Sequence, residues 1–351
     1  MGSTFGMKVC AAAILVVGLF IGNGKASSET LVIYGWVGPN EAGFRKEFFP
    51  YFEKKYNAKI EYLSASSFLN YGKLKAERNN PQADLALFDD MILDQARKDD
   101  LLQPLDTSIV QNLGDINPDA RFKDNMGVGI GYNVVSMYYN TKVFQEKGLA
   151  PVASWNDLLR PDLKGRVVIR NITSSYGLYA LLMLARANGG SDADPEQGFV
   201  KMKEMASNVI SFPTSHGPLA QMTLQGDAWV GVTGLGEAQE FVDKKAPVKF
   251  FIPKEGAIAM VEAAGVVKGA PHPKLAQQFI AELMSPEGQR MMAVSQSWVP
   301  TNKKTPIDES VKARIPLDFD KPMDLKVVDF DAVTSNREKW NERFAKDIAQ
   351  K

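Results

Sequence analysis

Two kinds of side chain that could bind a small molecule follow predicted strands, the position where open α/β sheets hold their ligands. Trp36 comes after the apolar run 30–34 (TLVIY) and offers a flat face on which a ligand could stack. Asp89 and Asp90 follow the run 85–88 (LALF), and their carboxylates could pair with an ammonium group. The alternative for the two acids is capping of the next helix.

A hydroxyl-rich stretch, 171–177 (NITSSYG), follows the predicted strand 166–169 and opens a long helix. Hydroxyl and backbone N–H groups at a helix N-terminus bind carboxylates and other anions, because the peptide dipoles place roughly half a positive charge there. Simple N-capping by Thr173 or Ser174 is the alternative. The candidate ligand-binding residues of this stretch are Asn171, Thr173, Ser174, Ser175 and Tyr176.

Two further strand ends repeat this polar chemistry. Ser215 follows the predicted strand 209–212, and Thr233 ends the next strand with Glu237 one helical turn beyond it. His216 lies beside Ser215 at a strand-to-helix turn, where it could face a cleft, although we expect capping or solvent exposure.

Signatures of catalysis are missing from the sequence. It has two histidines and shows no nucleophile with an adjacent base, no metal-ligand spacing and no phosphate-binding loop. Gly127, Gly129 and Gly131 alternate without the spacing of a dinucleotide site, so we interpret them as points of close backbone approach near a hinge. The sequence therefore favours a binding protein without a cofactor over an enzyme; an exported lyase or hydrolase on the same fold remains the alternative.

Strands alternate with helices along the chain, which predicts βαβ units and an α/β fold with mainly parallel sheets. The predicted strands are 30–34, 59–63, 85–88, 129–139, 166–169, 209–212, 228–233, 248–251, 257–260 and 265–267. The predicted helices are 41–56, 68–78, 91–98, 155–159, 176–188, 195–205, 217–225, 237–244, 272–284, 285–294 and 336–350.

The N-terminus has the pattern of a cleavable signal peptide. Lys8 precedes residues 11–21, a run without any ionisable side chain that is too short to span a bilayer core of about 30 Å. Cleavage after Ala26 would remove Cys10, the only cysteine, so the mature chain would suit an oxidising compartment. The sequence therefore predicts export to the periplasm.

Charge and length restrict the partners and the architecture. Without residues 1–26 the 41 basic residues fall to 39 against 41 acidic ones, because Lys8 and Lys25 are lost. No Lys/Arg stripe interleaved with aromatic residues appears, which argues against nucleic acid as a partner. The remaining chain of about 325 residues is long enough for two domains.

The order of several blocks resembles bacterial extracellular solute-binding proteins of ABC importers, and most of all the spermidine/putrescine-binding group. The similarity covers nearly all of residues 30–345. The blocks are LVIYGW, ADLALFDD, SWNDLLRPDLKGRVVI, LQGDAWVGV, FFIPKEGAIAMVEAAGVVKGAPHPKLAQQFIAELMSPEGQRMMA and SWVPTNKK.

The resemblance implies the two-lobed fold of type II periplasmic binding proteins, with hinge strands, a ligand cleft and a membrane permease as partner. It implies that the protein is a monomer. We expect lobe 1 at 27–135 and 257–300, lobe 2 at 136–256, and a C-terminal helical segment, 301–351, packed on the lobes. Trp36 matches the family's first-strand tryptophan, Asp89 and Asp90 lie in its second ligand-binding loop, and Glu262 falls where the family has a key acidic residue.

The chain also departs from the polyamine-binding pattern. Asn171 and TSSYG stand where polyamine binders have acidic residues, and Thr233 with Gly234 stands where they have a tryptophan. These differences argue against a long diamine. They leave three kinds of ligand open: a polyamine-like amine, an amine-bearing zwitterion, and an organic anion such as a carboxylate, phosphonate or sugar phosphate.

Overall fold

A single mixed β-sheet organises the chain. The computed structural model describes residues 1–2, 28–319 and 325–349, so the predicted signal peptide, including Cys10, lies outside the described residues except for its first two positions. The strands found there are β1 (Thr30–Trp36), β2 (Lys59–Ala65), β3 (Leu85–Asp89), β4 (Leu102–Gln103), β5 (Val128–Asn140), β6 (Val167–Val168), β7 (Val209–Ser211), β8 (Val230–Gly234), β9 (Val248–Phe251), β10 (Ala257–Val267) and β11 (Leu325–Lys326).

Helices cover the sheet, and several begin with the capping residue that the sequence provides. Ser66 and Ser285 accept hydrogen bonds from backbone N–H groups three residues ahead, at 3.3 and 3.0 Å. The α-helices are α1 (Pro39–Gly43), α2 (Phe49–Tyr56), α3 (Ser67–Ala76), α4 (Asp90–Lys98), α5 (Thr141–Glu146), α6 (Ser175–Ala187), α7 (Glu196–Glu204), α8 (His216–Gln225), α9 (Leu235–Asp243), α10 (Pro273–Leu283), α11 (Pro286–Gln296), α12 (Glu309–Arg314) and α13 (Phe330–Asp347). None of the helices in these parts of the chain is long and apolar enough to cross a membrane.

Two long strands, β5 and β10, cross the middle of the sheet. The strand order is β2-β1-β3-β10-β5-β8-β6-β7. The outer groups β2-β1-β3 and β8-β6-β7 are parallel, as predicted, whereas β10 is antiparallel to β3 and β5, and β5 is antiparallel to β8. Every residue of β5 and β10 is buried, because apolar packing covers both of their faces.

Strand β10 corrects the prediction of two short strands at 257–260 and 265–267. The ladder with β5 continues through Glu262 and its neighbours, between the two predicted strands. A register shift between Glu262 and Ala263 absorbs the irregularity. A carboxyl group is therefore built into the centre of a buried strand.

Two large hydrophobic cores lie on either side of the crossing strands, and a small third cluster surrounds Tyr138. The first core joins the aromatic side chains of residues 44–52 to α10, with Phe48 and Phe279 ring centroids 5.1 Å apart. The second core forms around α6 and includes Trp155, Trp340 and Phe344, so α13 packs on it. The exact boundaries expected for the two lobes and the C-terminal segment stay a prediction.

The crossing strands pass from one core to the other. Along β5, Val134 belongs to the first core and the next residue, Val135, to the second. The close approach expected for the glycines of β5 is present: a Cβ atom at Gly131 would lie 2.8 Å from Trp298 Cβ, and one at Gly129 would lie 2.5 Å from a methyl group of Val261.

Helix α6 begins directly against the loop that follows β6. A Cβ atom at Gly177, in the first turn of α6, would lie 2.3 Å from the backbone oxygens of both Arg170 and Asn171. Gly217 also lies in the first turn of its helix, α8, but nothing lies within 4 Å of its Cβ position. Only the first of these glycines is required by packing.

The Gly177→Ala and Gly217→Ala variants should therefore change stability in opposite directions. Gly177→Ala forces two backbone segments apart, and we expect it to lower the free energy of unfolding by about 1–3 kcal/mol. Gly217→Ala reduces the entropy of the unfolded chain, so it should raise the free energy of unfolding by up to about 1 kcal/mol. Urea unfolding of the two variants checks this; equal effects would show that α6 does not depend on the close approach.

Candidate ligand-binding site between the two cores

The predicted acidic residues meet where β3 pairs with β10. Glu262 is directly opposite Asp89 in this antiparallel ladder, and opposite residues of such a ladder present their side chains on the same face. Trp36, at the end of β1, donates from its indole nitrogen to Asp89 Oδ1 at 2.8 Å. The structure thus brings Trp36, Asp89 and Glu262 together.

Asp89 also connects the two halves of the molecule, which are the parts that contain the first and the second core. Its Oδ1 accepts a hydrogen bond from the hydroxyl of Ser67 at 2.9 Å, on the side of the first core. Its Oδ2 accepts one from the hydroxyl of Ser175 at 2.8 Å, at the start of α6 in the second core. The hydroxyl predicted to bind an anion is therefore bonded to a carboxylate in this conformation.

Glu262 is fully buried, and only one of its oxygens has a partner. Oε1 accepts a hydrogen bond from Asn133 Nδ2 at 3.0 Å, whereas Oε2 is buried without any hydrogen-bond partner among the described residues. Burial and the negative charge of Asp89 raise the pKa of Glu262 well above its usual value. The carboxylate form of this side chain consequently needs a cation that the described side chains do not provide.

Asp90 has a different environment from Asp89. Its Oδ1 accepts hydrogen bonds from the hydroxyl of Tyr179 at 2.6 Å and from its neighbour's backbone at 2.8 Å, and its Oδ2 accepts from the backbone N–H of Val261 at 2.8 Å. Burial raises its pKa to about 7. Both oxygens of Asp90 thus accept hydrogen bonds from protein donors, which connect it to α6 and β10. The capping role considered for Asp89 is not seen, because its side chain makes no hydrogen bond to the first turn of α4.

The predicted hydroxyl-rich stretch is used in several ways. Asn171 accepts a hydrogen bond from the backbone of Thr173 at 3.0 Å, and the Thr173 side chain is exposed. Ser174 is at the N-cap position of α6, but its side chain makes no capping bond. Neither hydroxyl proposed as a simple N-cap therefore satisfies the first turn of α6. Tyr176 accepts a hydrogen bond from Asn133 Nδ2 at 3.1 Å, which links it to Glu262.

Arg170, which the sequence analysis missed, lies behind Tyr176. Its guanidinium carbon is 4.2 Å from the centroid of the Tyr176 ring, its side chain is 4% exposed, and its Nε is buried without a partner. Nη2 donates to Glu237 Oε2 at 2.5 Å. Arg170 comes directly after the last apolar residue of a buried strand, and this position was the signal that could have identified it.

An ionic network extends from Arg170 away from the acidic pair. Thr233, predicted to bind ligand, instead donates its hydroxyl hydrogen bond to Glu237. His216 lies 3.3 Å from Glu237 and 2.8 Å from Glu240, so the expectation of capping or solvent exposure for this ring is wrong. The adjacent Ser215 is exposed at the N-cap of α8, and no contact in the described part of the chain joins it to the cluster.

Charge pairing sets the protonation states of this network. Burial opposes ionisation of Glu237, but the charge of Arg170 and the bond to His216 hold the pKa of Glu237 far below its usual range. Burial likewise disfavours protonated His216, yet hydrogen bonds to Glu237 and Glu240 raise its pKa to about 9. The positive charge of Arg170 is thus already neutralised by the protein.

Trp298 forms an apolar wall that the sequence analysis did not assign to the site. Its ring meets the ring of Trp36 edge to face, with centroids 5.8 Å apart. Its indole nitrogen is buried without a hydrogen-bond acceptor among the described residues. Within the same residues no group of histidine, cysteine and acidic side chains is arranged to hold a metal ion.

A sequence comparison across most of the chain identifies the family to which it belongs. The profile of the family described as bacterial extracellular solute-binding protein matches residues 49–316. The chain belongs to this family. The two cores, the crossing strands and the polar site between them are therefore those of an extracellular solute-binding protein.

Individual relatives of this solute-binding protein are distant but nearly full-length. It is 25% identical over 316 residues to the putative 2-aminoethylphosphonate-binding periplasmic protein of Salmonella typhimurium, covering 88% of this chain and 89% of the relative. It is 26% identical over 294 residues to the spermidine/putrescine-binding periplasmic protein of Escherichia coli, covering 81% and 80%.

Solved structures show the same fold. The periplasmic binding protein AfuA from Actinobacillus pleuropneumoniae, solved with exogenous fructose-6-phosphate bound, superposes with a TM-score of 0.76 at 23% identity. The match covers 93% of this solute-binding protein and 100% of AfuA. The predicted α/β architecture of a periplasmic binding protein is confirmed.

The raised pKa of His216 predicts a pH-dependent contribution to stability. Because its pKa is about 9 in the folded protein and ordinarily 6.5, protonated His216 stabilises the fold fully below pH 6.5 and loses this effect as the pH rises through 9. We expect wild type to be up to about 3 kcal/mol more stable than His216→Gln near pH 6, and the difference to disappear near pH 10.

Urea unfolding of the two proteins at several pH values between these limits measures the difference directly. The Glu240→Gln variant, which removes one of the two carboxylates from the ring, should show a smaller pH-dependent loss than wild type. A difference between wild type and His216→Gln that stays constant over the whole range would contradict the assigned pairing.

Proposed function

We propose that this solute-binding protein captures a small amine-bearing organic molecule between its two cores and delivers it to the permease of an ABC importer. Family membership supports the receptor role, and the printed names of the relatives include binders of a polyamine and of an amine-bearing phosphonate. The protein acts as a receptor and not as an exported lyase or hydrolase, in keeping with a family of binding proteins.

The observation that supports an amine is the pair formed by Asp89 and Glu262. Two carboxylates directly opposite each other in a β-ladder repel each other and burial removes them from water, so Glu262 favours its protonated form unless a cation compensates its charge. Glu262 Oε2 has no donor among the described residues. A ligand ammonium group placed between the two side chains would supply both the missing hydrogen bond and the missing positive charge.

The aromatic residues beside the acids suit the same ligand. Trp36 and Trp298 meet edge to face next to Asp89, and an aromatic face attracts a cation through its quadrupole while packing against methylene groups. The unpaired indole N–H of Trp298 can donate a hydrogen bond to an oxygen of the ligand. These features describe a short polar molecule rather than a purely apolar one.

Closure of the cleft follows from the same charges. The hydrogen bond between Asp89 and Ser175 joins the two cores, so the conformation described here is closed at this point. Without a cation, the buried acidic pair disfavours the closed conformation. When a cation lies between the two side chains, the pair stabilises the closed conformation. A ligand that neutralises the pair therefore shifts the equilibrium about the crossing strands, and the closed form is the signal that a permease can recognise.

The Glu262→Gln variant tests the amine directly. Gln retains the acceptor for Asn133 but lacks the negative charge, so we expect affinity for an amine-bearing ligand to fall by about 1.5–3 kcal/mol, roughly 10- to 150-fold. The unliganded variant should be at least as stable as wild type, because a costly buried acid has been removed. Isothermal titration calorimetry with putrescine, spermidine, 2-aminoethylphosphonate and γ-aminobutyrate, together with thermal unfolding, measures both effects.

Glu282→Gln is the matched control. Glu282 accepts hydrogen bonds from Tyr51 and Tyr56 and pairs with Lys55, and these contacts hold its pKa below the usual value. Its replacement should lower stability and leave ligand affinity unchanged, the opposite of Glu262→Gln. If Glu262→Gln bound the amines as tightly as wild type, the proposed ammonium site would be wrong.

A further inference from the structure

The C-terminal helix α13 places a charged side chain beside the start of α6. It packs on the second core through Trp340 and Phe344, and at its start Asp331 pairs with Lys98 of α4 at 2.7 Å. This arrangement places the middle of the helix beside the loop that leads into α6, where Arg337 is found.

No acidic side chain among the described residues contacts Arg337. Its Nη2 donates to the backbone oxygen of Thr173 at 3.0 Å, and its Nη1 is buried with no hydrogen-bond partner among the described residues. Burial lowers its pKa to about 10, while Tyr179 and Asp89 act electrostatically in the opposite direction. A guanidinium group held in this way has unused hydrogen-bonding capacity at Nη1.

The beginning of α6 adds a positive potential at the same place. This helix has 13 residues, and its N-cap side chain, Ser174, leaves the first-turn N–H groups uncapped. Arg337 is bonded to Thr173, one residue before Ser174. The start of α6 and the buried Nη1 of Arg337 are thus two independent anion-attracting features that adjoin each other.

The neighbouring Arg170 also has an unpartnered nitrogen, Nε, but its charge has a partner. Arg170 donates to Glu237, which is bonded to Thr233 and close to His216, so its charge is balanced within the protein. Arg337 and Glu262 are complementary to each other instead. Among the described residues, Arg337 Nη1 has no acceptor and Glu262 Oε2 has no donor. The negative charge of Asp89 acts to raise the pKa of both side chains.

We infer that Arg337 and the first turn of α6 bind an anionic group of the ligand, a carboxylate, phosphonate or phosphate. This inference rests on the proposed function for its amine half, since a ligand that reaches both Glu262 and Arg337 is a zwitterion. The C-terminal helix then determines specificity: it selects amines that carry an anionic group over polyamines.

Titration of matched probes into wild type and Arg337→Gln tests the assignment. The probes are 2-aminoethylphosphonate and γ-aminobutyrate, the corresponding plain amines ethylamine and propylamine, and the corresponding plain anions ethylphosphonate and butyrate. We expect wild type to bind a zwitterion at least tenfold more tightly than its plain amine. Arg337→Gln should weaken binding of the zwitterion at least tenfold and change affinity for the plain amine less than twofold.

Arg343→Gln is the control on the same helix, because Arg343 pairs with Glu196 at 2.5 Å, away from the start of α6. It should leave every affinity unchanged. An equal loss of zwitterion and plain amine in Arg337→Gln, a preference of wild type for plain amines, or failure of wild type to bind any anionic probe would overturn the inference. Arg337-dependent binding of plain anions without any amine binding would support it while refuting the proposed ammonium site.

Discussion

The carboxylate of Asp89 is the contact on which the ligand site depends. It accepts hydrogen bonds from Trp36 and Ser67 on one side and from Ser175 on the other, so it positions the aromatic wall and the start of α6 at once. The same carboxylate lies opposite Glu262 in the central ladder. Asp89 therefore bonds to both sides of the candidate site, and under the proposed function its repulsion of Glu262 disfavours the closed form until a ligand cation binds.

The surrounding charges divide into groups that the protein satisfies and groups that it does not. Arg170, Glu237 and His216 balance each other, and both oxygens of Asp90 accept from protein donors. Glu262 Oε2 and Arg337 Nη1 are buried and lack partners in the described chain. Buried polar atoms are normally hydrogen-bonded, so these two atoms of opposite charge type are the ones that the proposed ligand would complete.

The sequence predicted the fold well because its signals are local. Apolar runs such as 85–88 and amphipathic segments such as 176–188 determine strands and helices by periodicity, and their positions agree with β3 and α6 to within one or two residues. The division of β10 into two strands was wrong, because Glu262 is a polar residue inside a buried strand and periodicity cannot anticipate it. The family resemblance, by contrast, identified Glu262 as a candidate ligand-binding residue.

The details of the site depend on contacts between distant segments, which no local pattern contains. Arg337 reaches Thr173 across 164 positions of sequence, and the network of His216 is visible only once α8 and α9 are packed together. Ser175 and Thr233 were chosen as strand-end hydroxyls, and their positions were informative, but their partners are carboxylates of the protein itself. Which hydroxyls remain available to a ligand is decided by tertiary packing.

The central claim is that the acidic pair Asp89 and Glu262 keeps the two halves apart until an ammonium group neutralises it. Spin labels on cysteines introduced at the exposed positions Phe68 in α3 and Leu224 in α8 report the separation of the halves, since the only native cysteine, Cys10, lies in the predicted signal peptide. We predict that double electron–electron resonance shows a longer distance without ligand and a single shorter one with a saturating amine-bearing zwitterion. The same distance in both samples, or closure by a plain anion alone, would contradict this account.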